Sequence, residues 1–594
     1  MPGQARSTVN RTISGTERGQ RRLNGPQTSG RDYRNLSCAR HGVVTELNVS
    51  IPMRDGVNLL ADIRRPEKPG AYPVLVSASP YPRQLQDVLV PLGVVEAGMD
   101  DFFVPRGYVH VTVNERGTND SGGRWTIFDS AERQDLYDVV EWAGTQSWSS
   151  GAVGMLGISY FAMAQLGAAV AAPPHLKAIF PLGLSSDLYE LVWHGGLLNS
   201  AFISGWTTML GIATTRSDKM LRGPAVAALR KIFQHPGLHA KLQHTNGEAA
   251  LATLQRFARG TYPADPWDEL WQNLAVERPF RDEWWQERNL LEKLADVKVP
   301  VYLGCEWDNT PVHLPSTFDT WDGFQRLSDE SRPPVRMTLL GEGGLGWPWE
   351  SMHVEALAWF DHWLKGQDTG ILEGPPVCYF LPEADQWRTS ETWPPADSRL
   401  ASFHLASDGV LSRHGSTEGS RRYLAHGERI DRSNAAHKPD FPAALSWTTP
   451  ALTTELDFAG NIELQMDAAI TDADTSWIIA LEDVAPDGSA TFITAGWQRA
   501  ALRTVNEERS VPGRPVLDCD TPIAVPPNKS VRYRIPLCPN ARRLHAGHSL
   551  RLTVGSSDAT GAVPSNMGFT HLAAGGPSIN TVFATSTLLL PLLP

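Results

Sequence analysis

The segment that most constrains the fold is residues 153–162, where a strand pattern, a Gly-x-Ser and a helix pattern follow one another. Val153–Gly157 is short and apolar, as in a buried strand, and the helix pattern begins at Tyr160. Ser159 therefore lies at a sharp strand-to-helix turn, above a helix N-terminus with free N–H groups. This context predicts a nucleophilic serine, although Phe161 stands where a second glycine is usual. The alternative is a serine that only caps the helix.

The segments on either side of this turn predict a mostly parallel sheet. Strand and helix patterns alternate from residue 44 to about residue 185, and strands resume at Val299–Gly304 and Arg336–Gly341. Such alternation is typical of an α/β fold with helices on both faces of the sheet. Between residues 186 and 295 the strand pattern disappears and tryptophans are frequent, so we expect an inserted helical cap.

Beyond about residue 380 the chain changes to short alternating runs separated by turn signals such as Pro486-Asp487-Gly488. Many short strands at this spacing predict an antiparallel β-sandwich or jelly roll. The predicted organisation is a flexible, arginine-rich tail (1–43), an α/β core in two parts (44–185 and 296–380), a helical cap between them (186–295) and the C-terminal sandwich (381–594).

Charge and cysteine content limit the partners and the compartment. The chain has 594 residues and a net charge of −12, which argues against nucleic acid or an anionic membrane as a partner. Its five cysteines are scattered and lack metal-ligand spacing, so we expect free thiols and no metal site. No apolar stretch is long enough to span a bilayer, and a cytoplasmic location is expected. A transit peptide is the alternative for the tail, and the tail and sandwich offer surface for a homodimer.

Several motifs occur in an order that resembles the cocaine-esterase and X-Pro dipeptidyl-peptidase family of serine hydrolases. Ser79-Pro80-Tyr81 is similar to a Pro-Tyr of that family, and Arg116–Gly123 to its R-G-x-G-x-S-x-G loop, with Asn119 in place of a glycine. Trp359–Gly366 is similar to a late signature of the hydrolase domain. In the distal region, Leu456–Gly460, Asp483–Gly488 and Gly547–Leu552 resemble the family's C-terminal jelly roll.

The resemblance implies an α/β-hydrolase core and assigns roles to individual residues. Ser159 would form the acyl-enzyme, and the N–H of Tyr160 with the hydroxyl of Tyr81 would form the oxyanion hole. The triad acid would be Asp308, in Cys305-Glu306-Trp307-Asp308, with Glu306 as the alternative.

The general base is where the sequence departs from the family. The family places its histidine after the next strand, but Leu345 occupies that position here. His353, in the same strand-to-helix connection, is the first candidate. His313 is the second, although it would place base and acid on one loop. The third possibility is a site without a conventional triad.

The function expected from these features is hydrolysis of an ester or amide, of acyl or X-Pro type, through an acyl-enzyme. The substrate would be a small ester, an amide or a short peptide, and no cofactor is expected. Because ester cleavage tolerates an imperfect base, an ester is favoured. Two other hypotheses remain: a family scaffold that transfers acyl groups to an acceptor other than water, and a binding protein without catalysis.

Overall fold

The structure, a computed structural model, describes residues 31–86, 96–214, 267–310, 312–343, 345, 350–415, 417–426, 441–558 and 571–594. These residues form two compact units. The first contains described residues up to 187, from 205 to 271 and from 287 to 379, and the second those from 188 to 204, from 272 to 286 and from 380 onward. Residues 215–266 of the predicted cap and the first 30 residues of the predicted tail lie outside the described residues.

The first unit is built on a mixed sheet of strongly apolar, buried strands. In chain order its strands are β1 (Val43–Pro52), β2 (Asn58–Pro66), β3 (Tyr72–Ser79), β4 (Val109–Asn114), β5 (Ser149–Ile158), β6 (Leu176–Leu182), β7 (Val301–Glu306), β8 (Val335–Leu340) and β9 (Val377–Leu381). They lie side by side in the order β1-β2-β4-β3-β5-β6-β7-β8-β9. The β1–β2 and β2–β4 pairs are antiparallel, and the pairs from β4 to β9 are parallel.

The described residues contain five longer helices. They are α1 (Ser130–Thr145), α2 (Tyr160–Ala171), α3 (Ser200–Thr214), α4 (Leu314–Gln325) and α5 (His353–Lys365). Helices α1, α2 and α5 pack on β5 and β6, and α4 packs on β7. Shorter helical segments are Arg83–Leu85, Asp100–Phe103, Val104–Arg106, Leu188–Val192, Trp267–Gln272, Asn273–Glu277, Glu283–Glu287, Leu291–Asp296 and Glu350–Met352.

Capping side chains and glycines set the ends of these helices. Asp129 caps α1 by accepting the N–H of Glu132 at 3.0 Å. Helix α5 ends at Gly366, whose φ of 68° is the left-handed conformation that glycine adopts without a steric cost.

The second unit consists mainly of β-strands, and from residue 380 onward its described residues form strands without helices. Its strands are Trp193–His194, Leu197–Leu198, Gln386–Ser390, Arg399–Leu405, Leu411–Ser412, Ser420–Ala425, Ala444–Thr448, Leu456–Ile470, Ser476–Val484, Ala490–Arg499, Val505–Val511, Arg514–Leu517, Val531–Leu544, Ser549–Gly555, Ser578–Phe583 and Thr587–Leu592. Eleven of these strands, from the part of the chain that the structure describes, form one large antiparallel sheet. Its curvature encloses a core with Trp447, Trp477 and Tyr533 fully buried.

The predicted fold class is confirmed: an α/β core precedes an all-β region. A short hairpin, Trp193–His194 with Leu197–Leu198, lies in the region where no strand was expected. Residues 31–42, the described end of the predicted tail, include Arg34, which forms an ion pair with Asp368 at 2.8 Å. Among the helices of the described residues, none combines the length and apolarity needed to cross a membrane.

Candidate active site

The candidate site lies in the first unit, at the carboxyl edge of the parallel strands. Tyr81 follows β3 and Ser159 directly follows β5. Ser185 follows β6, and His313 follows β7. Because the carboxyl ends of parallel strands meet at one edge of the sheet, these four side chains from separate loops come together there.

Ser159 has the strained backbone of a nucleophile elbow. Its φ of 58° and ψ of −119° are unusual for a residue with a side chain. Its carbonyl accepts the N–H groups of Ala162 and Met163, the first intrahelical bonds of α2. The N–H of Tyr160, the first residue of α2, has no acceptor within the helix and can bind an anion beside the Ser159 side chain.

Phe161 stands where the elbow motif usually has its second glycine, and Gly157 makes the room for it. A Cβ atom on Gly157 would lie 2.4 Å from the Cβ of Phe161, which is too close for two carbon atoms. The same atom would lie 3.2 Å from the carbonyl oxygen of Glu96. A glycine is therefore needed at position 157, and its missing side chain makes the room that Phe161 uses.

His313 is the histidine that the structure brings to Ser159. Its Nε2 lies 3.2 Å from the Ser159 Oγ, and its Nδ1 lies 2.9 Å from the Ser185 Oγ. The Ser185 hydroxyl donates to the carbonyl of Val312 at 3.3 Å, so its oxygen is left to accept the Nδ1–H. This network leaves the lone pair of Nε2 facing the Ser159 hydroxyl, as a general base requires.

The close approach of the His313 ring depends on Gly183. A Cβ atom there would lie 3.2 Å from the His313 Cδ2, and the φ of 55° at Gly183 is in the left-handed region. The ring is 4% exposed. Burial lowers the pKa of His313 to about 3, because the charged imidazolium loses its hydration.

His353, the first base candidate from the sequence, lies at the start of α5 between two phenylalanines. Its ring stacks on Phe102 with centroids 5.1 Å apart and meets Phe103 edge-on at 5.6 Å. It is 2% exposed, and burial also lowers its pKa to about 3. Its described ring contacts are those of a side chain in an apolar core.

Asp308 and Glu306, the candidate acids, bind the loop that follows β8. Asp308 Oδ1 accepts the N–H of Gly343 at 2.9 Å, and Glu306 Oε2 accepts the N–H of Leu345, the position of the family histidine. Burial raises the pKa of both carboxyl groups. The side chain at His313 Nδ1 is thus the hydroxyl of Ser185, where the sequence predicted a carboxylate.

Tyr81 presents a buried phenol to the serine. It is 2% exposed, its hydroxyl oxygen accepts the Nε1–H of Trp206 at 3.1 Å, and the Ser159 side chain is a polar neighbour of the phenol. Asn114 fixes the backbone by donating its Nδ2–H to the Tyr81 carbonyl at 2.6 Å. Burial, followed by the charge of Glu96, raises the pKa of Tyr81, so the phenol keeps its proton as a donor.

Comparison with known proteins places the chain in a family. Residues 55–342 match the model of the X-Pro dipeptidyl-peptidase (S15 family), and residues 361–575 match the model of the X-Pro dipeptidyl-peptidase C-terminal non-catalytic domain. The chain belongs to this family. Its relatives are esterases and dipeptidyl-peptidases, and the chain is accordingly a hydrolase.

Individual relatives of the X-Pro dipeptidyl-peptidase family support the same placement. The chain is 28% identical to the cocaine esterase of Rhodococcus sp., over 77% of this chain and 83% of that protein. A CocE/NonD family hydrolase of Staphylococcus aureus has a similar fold, with a TM-score of 0.71, 21% identity and coverage of 93% of this chain and 94% of that one. An α-amino acid ester hydrolase gives a TM-score of 0.69 at 18% identity, over 96% and 99% of the two chains.

Behind the elbow, this member of the family holds two buried glutamates against the Tyr160 side chain. The Tyr160 hydroxyl donates to Glu132 Oε2 at 3.1 Å, and Trp125 donates its Nε1–H to Glu115 Oε2 at 3.2 Å and to the Tyr160 oxygen at 3.1 Å. Glu115 is 3% exposed and Glu132 is 6% exposed. Burial raises the pKa of both, that of Glu132 to about 8, and each charge opposes ionisation of its neighbours.

The raised pKa of Glu132 makes the free energy of unfolding depend on pH. The unfolded chain releases the Glu132 proton near its ordinary pKa of 4.5, whereas the folded protein holds it to about pH 8. The free energy of unfolding therefore falls as pH rises between these values. In Glu132→Gln, we expect this fall between pH 5 and pH 8.5 to be smaller by about 1–3 kcal/mol, measured by urea unfolding at several pH values.

Charged residues near Glu132 also affect its ionisation. Asp129 and Asp135 face Glu132 and oppose its ionisation, and Arg288 favours it. The control is Glu330→Gln, at an exposed glutamate, which should leave the pH slope unchanged. An equal slope in Glu132→Gln and the unmodified protein would show that Glu132 is already ionised in the folded state.

Proposed function

We propose that the chain is a serine hydrolase that cleaves a carboxylic ester through an acyl-enzyme on Ser159, with His313 as the general base. The observation that carries the proposal is the 3.2 Å contact between His313 Nε2 and Ser159 Oγ, with His313 Nδ1 held by Ser185. An unassisted serine hydroxyl is a poor nucleophile, and this contact supplies the assistance.

In the first step, Ser159 Oγ attacks the carbonyl carbon while its proton passes to His313 Nε2. The carbonyl oxygen becomes an oxyanion that accepts hydrogen bonds from the Tyr160 N–H and the Tyr81 hydroxyl. The intermediate then collapses. The bond between the carbonyl carbon and the alcohol oxygen breaks, and the imidazolium gives its proton to the leaving alcohol.

In the second step, water replaces the alcohol. His313 Nε2 takes a proton from water as the water oxygen bonds to the acyl carbon, and the same oxyanion hole stabilises the charge. The bond from the acyl carbon to Ser159 Oγ then breaks, the imidazolium protonates the serine, and the carboxylic acid leaves. An ester is favoured over an amide because it requires less help from a base whose Nδ1 partner among the described residues is a serine hydroxyl.

The position of His313 beside Ser159 also weakens the reason for the acyl-transfer hypothesis. That hypothesis rested on the absence of the family histidine at Leu345. With a base supplied from the loop after β7, activation of water needs no other group. Acyl products formed with added alcohols or amines in preference to the free acid would support the acyl-transfer hypothesis instead.

The test is labelling with a fluorophosphonate probe, with the modified peptide identified by mass spectrometry. We expect one label per chain on Ser159, formed by attack of Oγ on phosphorus with loss of fluoride. Ser159→Ala should abolish both labelling and the hydrolysis of a p-nitrophenyl ester. Its fold should remain intact by circular dichroism. A folded, unmodified protein that takes no label would contradict the proposal and favour a binding role.

A further inference from the structure

The hydroxyl of Tyr81 has a second partner that the reaction scheme does not use. The Nε1 of Trp206 lies 3.1 Å from the Tyr81 oxygen. Trp206 is 7% exposed and lies on α3, within the insertion between β6 and β7. The insertion therefore places a polar atom directly on a candidate oxyanion-hole residue.

The chemistry of the indole fixes the direction of this hydrogen bond. An indole N–H can only donate, so the Tyr81 oxygen must be the acceptor. The phenol hydrogen then has to point away from the indole, and the Ser159 side chain is a polar neighbour of the phenol. The Tyr81 O–H is thus kept off the indole and is available to the oxyanion that develops beside Ser159 in the proposed reaction.

We propose that Trp206 is a positioning residue that orients the Tyr81 hydroxyl as an oxyanion-hole donor, so that the insertion completes the active site. The inference rests on the proposed function, in which Tyr81 stabilises the oxyanion. In this role Trp206 acts through the Tyr81 hydroxyl.

The ring of Tyr81 is held separately from its hydroxyl. Tyr160 and Phe161 each meet it edge-on with centroids 6.1 Å apart. These contacts place the ring but leave the O–H free to rotate about the C–O bond. The Trp206 N–H removes this freedom by occupying one side of the oxygen.

The hydrogen bond should matter more in the transition state than in the ground state. Donation to the Tyr81 oxygen polarises its O–H, and this cooperative effect grows when the O–H donates to a full negative charge. Loss of the indole N–H should therefore lower kcat and leave KM nearly unchanged.

The experiment is a double-mutant cycle on hydrolysis of a p-nitrophenyl ester with Trp206→Phe, Tyr81→Phe and the combined variant. We expect Tyr81→Phe to lower kcat by about 10²-fold, as for loss of one oxyanion donor. Trp206→Phe should lower it by about tenfold, with KM changed less than about twofold. In the Tyr81→Phe background, Trp206→Phe should have less than about a twofold effect, because the group that it orients is gone.

Two controls separate orientation from packing. Trp193→Phe removes another buried indole donor, whose Nε1–H bonds to the carbonyl of Leu274 at 2.9 Å, and should leave kcat unchanged. Replacing Trp206 by 3-benzothienylalanine exchanges the N–H for sulfur at nearly constant shape. It should reproduce the tenfold loss even if Trp206→Phe folds poorly.

Each contrary outcome has a distinct meaning. Equal losses from Trp206→Phe in both backgrounds, or full activity with 3-benzothienylalanine, would overturn the positioning role and leave the serine mechanism standing. Full activity of Tyr81→Phe would also overturn it, because Tyr81 would then not be a donor. Activity that survives in Ser159→Ala would instead refute the proposed function itself.

Discussion

Replacing His313 by alanine is expected to lower kcat/KM for an ester by about 10⁴-fold, because Ser159 then loses the group that takes its proton. The 3.2 Å contact of Nε2 with the serine oxygen is the physical basis of this expectation. The residual rate would come from the oxyanion hole and substrate binding alone. Stopped-flow or initial-rate kinetics at pH 7.5 would measure the effect, with the folded fraction checked by circular dichroism.

The matched control is His353→Ala, which removes an equally buried histidine from the same unit. Because His353 packs between Phe102 and Phe103, its loss should lower the free energy of unfolding by about 1–3 kcal/mol. In the folded fraction, kcat/KM should stay within about threefold of the unmodified protein. The reverse pattern, with activity lost in His353→Ala and kept in His313→Ala, would move the base to α5.

The elbow and the architecture around it could be predicted because they depend on local signals. A short apolar strand, Gly157, Ser159 and an immediate helix leave few other ways to arrange the backbone. The strand–helix alternation likewise predicts the parallel sheet, and the alternating runs after residue 380 predict the all-β region. Even Phe161, the exception in the motif, requires only that position 157 has no side chain.

The base could not be assigned in this way because its position depends on how distant loops pack. His313 and His353 are both separated from Ser159 by more than 150 residues, and neither lies in a motif. What brings His313 to the serine is the open space above Gly183 and the hydroxyl of Ser185. Neither feature has a sequence signature, since glycine and serine are common in loops of every kind.

The residues that support the proposed oxyanion hole were missed for a related reason. Trp206 was visible only as one of several tryptophans of the insertion, and tryptophans are more often simple core residues. Glu115 and Glu132 look like ordinary surface glutamates in sequence, yet both are buried against Tyr160. A polar side chain reveals such a role only when its hydrogen-bond partners are known.

Because His313 Nδ1 is held by the hydroxyl of Ser185, we expect an unusual pH dependence of activity. Burial lowers the pKa of His313 to about 3, and the neighbouring Ser185 hydroxyl carries no charge to oppose this. A general base works only in its neutral form, and His313 is neutral at every pH above its pKa. We therefore expect kcat/KM to stay constant from pH 8 to below pH 5, without the loss near pH 6.5 expected for an unperturbed histidine.

Ser185→Asp should raise the pH below which kcat/KM is lost. A carboxylate at the His313 Nδ1, now 2.9 Å from the Ser185 oxygen, would stabilise the imidazolium and raise the pKa of His313 by about 1–3 units. Because protonated His313 is inactive, the acid loss of kcat/KM should shift to higher pH by the same amount. Ser185→Asn is the control, since it has the same size without the charge and should leave the acid limit low. A loss near pH 6.5 in the unmodified protein would instead indicate that a carboxylate, with Asp308 as the first candidate, already reaches His313 during turnover.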